Sequence, residues 1–139
     1  MIVIDAKESV MGRVATKVAK LALQGEKVAV VNAERAIIVG NPEFLRLKYK
    51  DRLDRRVLGN PHFGPKLSRL PERLMRRAIR GMLPFKESKG RNAFKRVMTY
   101  VGVPEKLKSE KAIVIEEARM GSGKRFVYLE DLSRRLGAR

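Results

Sequence analysis

The start of the chain places two short apolar runs on either side of an amphipathic helix, and this pattern constrains the fold more than any other feature. Residues 2–4 (Ile-Val-Ile) and residues 27–31 (Lys-Val-Ala-Val-Val) are β-branched runs typical of buried strands. Residues 10–24 between them have apolar side chains at helical spacing, and Gly25 is a typical residue to end that helix. Because a strand, a helix and a strand in succession form a crossover unit, the pattern predicts two parallel strands with the helix packed on them.

Capping residues mark the next helix. Asn41 and Pro42 are a typical N-cap and first helical residue, and they predict a helix that runs to about Arg52. A short apolar run before them, residues 36–39, predicts an edge strand. An irregular and basic stretch, residues 53–70, follows the helix. A stretch of this length inside a compact domain is usually functional or mobile.

The second half of the chain is predicted to contain further helices and strands. We expect helices over residues 91–97 and 130–136, strands over residues 98–101 and 112–115, and a basic loop over residues 85–90. The whole chain of 139 residues fits one domain.

Positive charge is concentrated in the middle of the chain. Residues 46–108 hold 19 Lys and Arg against 5 Asp and Glu, and they supply most of the net charge of +17. Like charges on one folded segment repel each other. The simplest explanation is a polyanion that neutralises them, and RNA and DNA are the strongest candidates.

The helix that Pro71 opens has a nearly pure arginine face. Four arginines at the spacing i, i+3, i+4 and i+7 share that face: Arg73, Arg76, Arg77 and Arg80. Solvated helix faces usually mix signs to gain ion pairs, so phosphate contact is the favoured interpretation over a solvated face. We expect Gly81 and Pro84 to end the helix and to aim the basic loop that follows, so that Gly81→Val impairs stability or docking.

Further basic residues surround this helix, together with one histidine in a Gly- and Pro-rich loop. The other predicted RNA-binding residues are Lys48, Lys50, Arg52, Arg55, Arg56, His62, Lys66, Arg69, Lys86, Lys89, Arg91, Lys95, Arg96, Lys124 and Arg125. Loops rich in Gly and Pro let backbone amides approach a phosphate. His62 and Phe63 are also able to stack on a base or a sugar, although local packing is the interpretation that we favour.

Cysteine and histidine usage excludes several kinds of site. The chain has no Cys and a single His. Disulfides, Cys-ligated zinc and ordinary transition-metal sites are therefore excluded, and no metal or cofactor is expected. No run approaches the roughly 20 apolar residues of a membrane helix, and no signal peptide is visible. We expect a cytosolic protein without a membrane partner.

Two patterns resemble enzyme motifs only in part. Residues 120–125 (Met-Gly-Ser-Gly-Lys-Arg) resemble the end of a phosphate-binding P-loop, but Ala118 stands at the position of its first Gly and Arg125 at that of its last Ser or Thr. Glu116 and Glu117 are adjacent, so their side chains point in different directions and make a poor acid–base pair. We assign no catalytic residue and interpret residues 120–125 as a flexible basic loop that touches RNA.

Several short motifs together carry a resemblance that spans residues 2–104. They are residues 5–6 (Asp-Ala), 12–15 (Gly-Arg-Val-Ala), 30–33 (Val-Val-Asn-Ala), 60–61 (Asn-Pro), 64–65 (Gly-Pro), 80–84 (Arg-Gly-Met-Leu-Pro), 89–93 (Lys-Gly-Arg-Asn-Ala) and 100–104 (Tyr-Val-Gly-Val-Pro). In this order they resemble the family of the thirteenth large-subunit ribosomal protein, in its archaeal and eukaryotic form. The family's bacterial branch has a different loop where residues 53–66 lie, so contacts of that segment are not carried over from it.

The resemblance implies a fold and a function. The fold would be a three-layer αβα sandwich on a small, mostly parallel four-stranded sheet, with basic loop and helix extensions. The chain would be a structural constituent of the large ribosomal subunit that binds large-subunit rRNA and supports early subunit assembly. Its partners would be that rRNA and neighbouring ribosomal proteins, with no catalytic activity, cofactor or small-molecule substrate. The competing hypotheses are a DNA-compacting protein and a small phosphotransfer enzyme.

Overall fold

The structure, a computed structural model, describes residues 1–138 and contains six strands and five α-helices within them. The strands are β1 (Ile2–Asp5), β2 (Val28–Val31), β3 (Ile37–Val39), β4 (Val97–Thr99), β5 (Ile113–Val114) and β6 (Phe126–Tyr128). The helices are α1 (Met11–Leu23), α2 (Pro42–Asp54), α3 (Pro71–Gly81), α4 (Ser88–Lys95) and α5 (Leu129–Arg135). Three single turns of 3₁₀ helix occur at Ala33–Arg35, Glu105–Leu107 and Glu116–Ala118.

The main sheet has four strands in the order β4-β2-β1-β5, and all of its pairs are parallel. β1 and β2 are neighbours, with Ile4 opposite Val30, and α1 connects them. The crossover unit predicted from the first apolar runs is therefore confirmed, as are the α/β class and the small parallel sheet.

Helices cover one face of this sheet and a thin layer covers the other. Ile4 and Val30 point to the helical face, where they pack with Val14 and Val18 of α1 and with side chains of α3 and α4. On the opposite face Val3, Ala29 and Val31 pack against Leu107 of a 3₁₀ turn and against Tyr100. The arrangement is consistent with the predicted three-layer sandwich, in which the third layer is reduced to the segment around Leu107.

A second, two-stranded sheet joins β3 to β6 in antiparallel register, with Ile37 opposite Tyr128. The predicted strand at residues 36–39 is present, but it lies in this separate sheet and not at the edge of the main one. A small core of Leu45, Val127, Leu132 and Leu136 lies beneath it and holds α2 against α5. This second core fixes the position of the basic helix α2.

The helix boundaries agree closely with the predicted ranges, with two exceptions. Asn41 Oδ1 accepts the backbone N–H of Glu43 at 3.1 Å, as a cap should, but α2 continues to Asp54, two residues beyond its predicted end. α4 begins at Ser88, within the stretch predicted as a basic loop.

Helix α3 ends at Gly81 as predicted, but that end does not depend on the residue being glycine. Gly81 is the last residue of α3, its φ lies outside the left-handed region, and a Cβ built on it meets nothing within 4 Å. The position therefore does not require glycine. No helix within residues 1–138 is long and apolar enough to span a bilayer.

Candidate nucleic-acid interface

The arginine face of α3 exists as predicted. Leu74, Met75 and Ile79 point inward and are buried, which fixes the rotation of the helix. Side chains three and four residues apart share a face, so the arginines are held together on the outside. Arg73, Arg77 and Arg80 are exposed, and Arg76 is half-buried.

Two aromatic rings that the sequence analysis did not single out support this face. The Arg76 guanidinium lies over the ring of Phe94 at 4.6 Å, and that of Arg80 lies over Phe85 at 5.2 Å. The two rings pack edge to face with their centroids 5.5 Å apart. Contact with an aromatic face restricts a guanidinium and stabilises its charge. Phe85 and Phe94 are each followed directly by a lysine in a basic stretch, and this was the signal in the sequence that could have revealed them.

All but one of the predicted basic residues lack an acidic partner within residues 1–138. Within residues 1–138, only one ion pair involves a predicted RNA-binding side chain, and it joins Arg55 to Asp51 at 2.8 Å. That pair is exposed and spans one helical turn, so it contributes little to stability. The four arginines of α3 keep their charge uncompensated, which favours an external anion as their partner.

A surface pocket of about 180 Å³ opens beside the arginine face. It lies between α3, the Phe94 ring and the last part of the irregular segment, from which Lys66 and Ser68 reach it. All four arginines of α3 contribute to its lining. The fold therefore places Lys66 beside the arginines of α3 and beside the Phe94 ring, which is distant from it in sequence.

Helix α2 contributes a second basic surface. Lys48 lies over the ring of Phe44 at 5.9 Å, and Arg52 lies over Tyr49 at 5.4 Å. Lys48, Lys50 and Arg52 are exposed, while Tyr49 packs into the small core beneath the second sheet. Burial raises the pKa of Tyr49 above its usual 10.0, and the nearby Arg52 opposes this in part.

We predict that Tyr49 makes the protein less stable at high pH. The unfolded chain ionises Tyr49 near pH 10.0, whereas the folded protein keeps the proton to a higher pH. The folded state then binds more protons, so the stability present below pH 10.0 is lost as the pH rises through the raised pKa. Tyr49→Phe retains the ring and removes the ionisation. The unfolding free energy of this variant, measured in urea, should therefore decline less steeply above pH 10.0 than that of the wild-type protein. Parallel curves for the two proteins would contradict the prediction.

The irregular segment turns its only histidine outward. Asn60 closes a turn by accepting the backbone N–H of His62 on Oδ1 at 3.0 Å and that of Phe63 on its carbonyl at 3.1 Å. Both side chains are exposed, and Phe63 exposes 67% of its surface. The favoured interpretation, local packing of these two rings, is therefore wrong. Arg56, in the same segment, is also exposed.

Other predicted residues lie around α4. Arg91 and Lys95 are exposed on the helix, as is Lys89 near its start. Lys86 is exposed in the short turn before α4, near Arg80. These side chains extend the basic surface of α3, and none of them forms an ion pair within residues 1–138, although Glu87 stands next to Lys86.

A few predicted residues lie apart from this surface or serve the fold as well. Arg69 lies at the end of α5, where its carbonyl accepts the Ser133 hydroxyl at 2.5 Å. Arg96 donates to the Ala22 carbonyl at the end of α1, at 3.4 Å. The loop that carries Lys124 and Arg125 adjoins the start of α2, because the Arg125 carbonyl accepts the N–H of Gly40 at 2.9 Å.

The structure offers no support for the enzyme motifs. Residues 120–125 lead into strand β6, whereas a P-loop connects a strand to a helix. In the part of the chain that the structure describes, no cluster of three His, Cys, Asp or Glu side chains has the arrangement of a metal site.

Comparison with known proteins assigns the family. The family model for ribosomal protein L13 matches residues 1–106. Large ribosomal subunit protein uL13 of Methanocaldococcus jannaschii is 42% identical over 140 residues, which cover 100% of this chain and 99% of that protein. The protein of the same name from Methanococcus maripaludis is 44% identical with the same coverage. That from Archaeoglobus fulgidus is 41% identical over 99% of this chain and 88% of its own length. The resemblance carried by the short motifs is confirmed, and the chain belongs to the ribosomal protein L13 family in its archaeal form, a family of structural ribosomal proteins and not of enzymes.

Proposed function

We propose that this chain is a structural constituent of the large ribosomal subunit, that it binds the backbone of large-subunit rRNA, and that it supports early assembly of the subunit. The observation that carries the proposal is the arginine face of α3, whose four charges have no acidic partner within residues 1–138. The relatives' name, large ribosomal subunit protein, supports the same assignment.

The mechanism in this proposal is charge neutralisation. Arginine and lysine side chains that contact phosphates release condensed counterions, which favours binding and stabilises one compact arrangement of the RNA. Such contacts position the protein without reading sequence. Shape, 2′-hydroxyl groups and bases stacked on Phe63 or His62, both exposed in the irregular segment, supply the specificity.

The proposal also includes the location and the partners of the protein. It acts in the cytoplasm as a single domain of residues 1–139, with rRNA and neighbouring large-subunit proteins as partners. It uses no cofactor, no membrane and no small-molecule substrate.

Binding measurements distinguish this function from DNA compaction. At about 0.15 M salt, the protein should bind its large-subunit rRNA fragment about 10³-fold more tightly than duplex DNA, the lower end of the usual ratio between specific and non-specific sites. In cell extract it should sediment with large subunits and remain there in moderate salt. Equal affinity for rRNA and duplex DNA would favour the DNA-compacting alternative.

A further inference from the structure

The pocket beside α3 differs from the rest of the basic surface in its walls. Leu74 and the Phe94 ring form an apolar part, and Lys66, Ser68 and the arginines of α3 form the remainder. The described residues that line it include no Asp or Glu. Charges around a cleft with apolar walls produce a stronger local field than the same charges on a flat surface. An anion is therefore expected to bind more tightly in this pocket than elsewhere on α3.

Arg76 is the arginine best placed to hold that anion. It is half-buried, and its guanidinium lies on Phe94. Its Nε–H is buried and has no acceptor within residues 1–138. A buried donor without a partner is unfavourable, particularly on a charged group. An anion that enters the pocket supplies the missing acceptor once the side chain adjusts to it.

Ser68 offers a second donor to the same pocket. Its Oγ accepts the backbone N–H of Leu70 at 3.3 Å. A serine hydroxyl that accepts one hydrogen bond still has its own proton to donate. The position of this hydroxyl is set by the start of α3, since Leu70 immediately precedes the helix.

The size of the pocket limits the ligand. Its volume of about 180 Å³ is below the roughly 300–1,000 Å³ of sites that enclose a drug-sized molecule. A single tetrahedral oxyanion suits this space, whereas a whole nucleoside is too large to be enclosed. Arginine suits an oxyanion because its planar fork contacts two oxygens at once.

We propose that this pocket binds one particular phosphate of the rRNA backbone, with Arg76 and Ser68 as its specific donors. The inference rests on the proposed function, because the phosphate belongs to rRNA. Arg73 and Arg77 contribute charge that lysine can replace. Arg76, half-buried on Phe94, contributes a fixed geometry that lysine cannot. The aromatic ring of Phe94 holds that geometry before the RNA arrives.

Charge-conserving substitutions test the site. Arg76→Lys keeps the charge and removes the fork, so it should lower affinity for the rRNA fragment about tenfold, the loss expected for one charged, two-point hydrogen bond. The salt dependence should stay unchanged because the charge is conserved. Arg91→Lys, on exposed α4, is the matched comparison and should lower affinity about twofold or less, since a diffuse contact depends on charge alone. Ser68→Ala should lower affinity about threefold, as one neutral donor is lost.

Interference mapping locates the phosphate. With rRNA carrying phosphorothioates at random positions, one strong interference position should disappear in Arg76→Lys and persist in Arg91→Lys. Equal effects of the two substitutions, or an unchanged interference pattern, would overturn the proposed phosphate site but not the proposal that the protein binds rRNA. Failure of the wild-type protein to bind rRNA would remove the proposed function and this site together. If Arg76→Lys melts at a lower temperature, Ser68→Ala provides the deciding interference pattern.

Discussion

Gly90→Ala should destabilise the protein by about 3 kcal/mol, a large part of the 5–15 kcal/mol that holds a typical domain together. Gly90 lies in α4 and is buried. A Cβ built on it would lie 2.0 Å from the Pro84 carbonyl oxygen and 2.4 Å from the Pro84 carbonyl carbon. Both are backbone atoms, so no side-chain rotation relieves the overlap. The helix has to move away from the turn at residues 84–87, which also displaces Phe94 from its contact with Phe85.

Gly81→Ala is the matched control for this substitution. It makes the same chemical change at the end of α3, where the added methyl group meets nothing within 4 Å. Alanine is a better helix former than glycine, so stability should stay the same or rise by up to about 1 kcal/mol. Urea unfolding of both variants gives the two free energies directly. Equal stabilities for the two variants would show that α4 does not approach the Pro84 turn as closely as the structure indicates.

The contrast between these two glycines shows what the sequence could not predict. Gly81 follows an arginine-rich helical pattern and precedes Pro84, which is how a helix end is recognised from sequence. Gly90 belongs to a stretch read as a loop, and its role depends on how closely α4 packs against the preceding turn. Gly90 and Ala93 are both small, buried and three residues apart, a pattern that indicates close backbone approach only once the helix is known.

The fold was predictable where its signals are local. The parallel pair of β1 and β2 follows from two apolar runs around one helix, and the start of α2 follows from Asn41 and Pro42. The pairing of β3 with β6 was not predictable, because each strand has three residues and nearly 90 residues separate them. Short strands leave too few positions for an alternating pattern to show.

The candidate interface was also predictable from sequence only where its signals are local. The arginine face of α3 follows from helical periodicity alone, and the buried Leu74 and Ile79 confirm it. The aromatic support and the pocket depend on where α4 and the irregular segment lie in space, which periodicity does not give. His62 and Phe63 were expected to pack locally, but a turn closed by Asn60 directs them outward.

Replacing all four arginines of α3 with glutamine should leave the fold intact and weaken rRNA binding strongly. None of the four side chains has an ion pair within residues 1–138, and the buried face of the helix is unchanged. If each arginine contacts one phosphate, each loss lowers the slope of log affinity against log salt by roughly 0.7–0.9. The slope should therefore fall by about 3, which corresponds to about 10²–10³ in affinity near 0.15 M salt.

A control with the same loss of charge separates position from net charge. Lys7, Lys17, Lys20 and Lys27 are exposed and lie outside the predicted interface. Their replacement by glutamine removes four charges as well. This variant should change the slope by much less than the arginine variant, because long-range attraction between charges is screened beyond about 8–10 Å in physiological salt. Equal slopes for the two variants would mean that rRNA responds to the total charge of the protein, and the arginine face of α3 would then have no special part in binding. A lower slope for the arginine variant alone would instead require the phosphates to lie against α3, where counterions are displaced by direct contact.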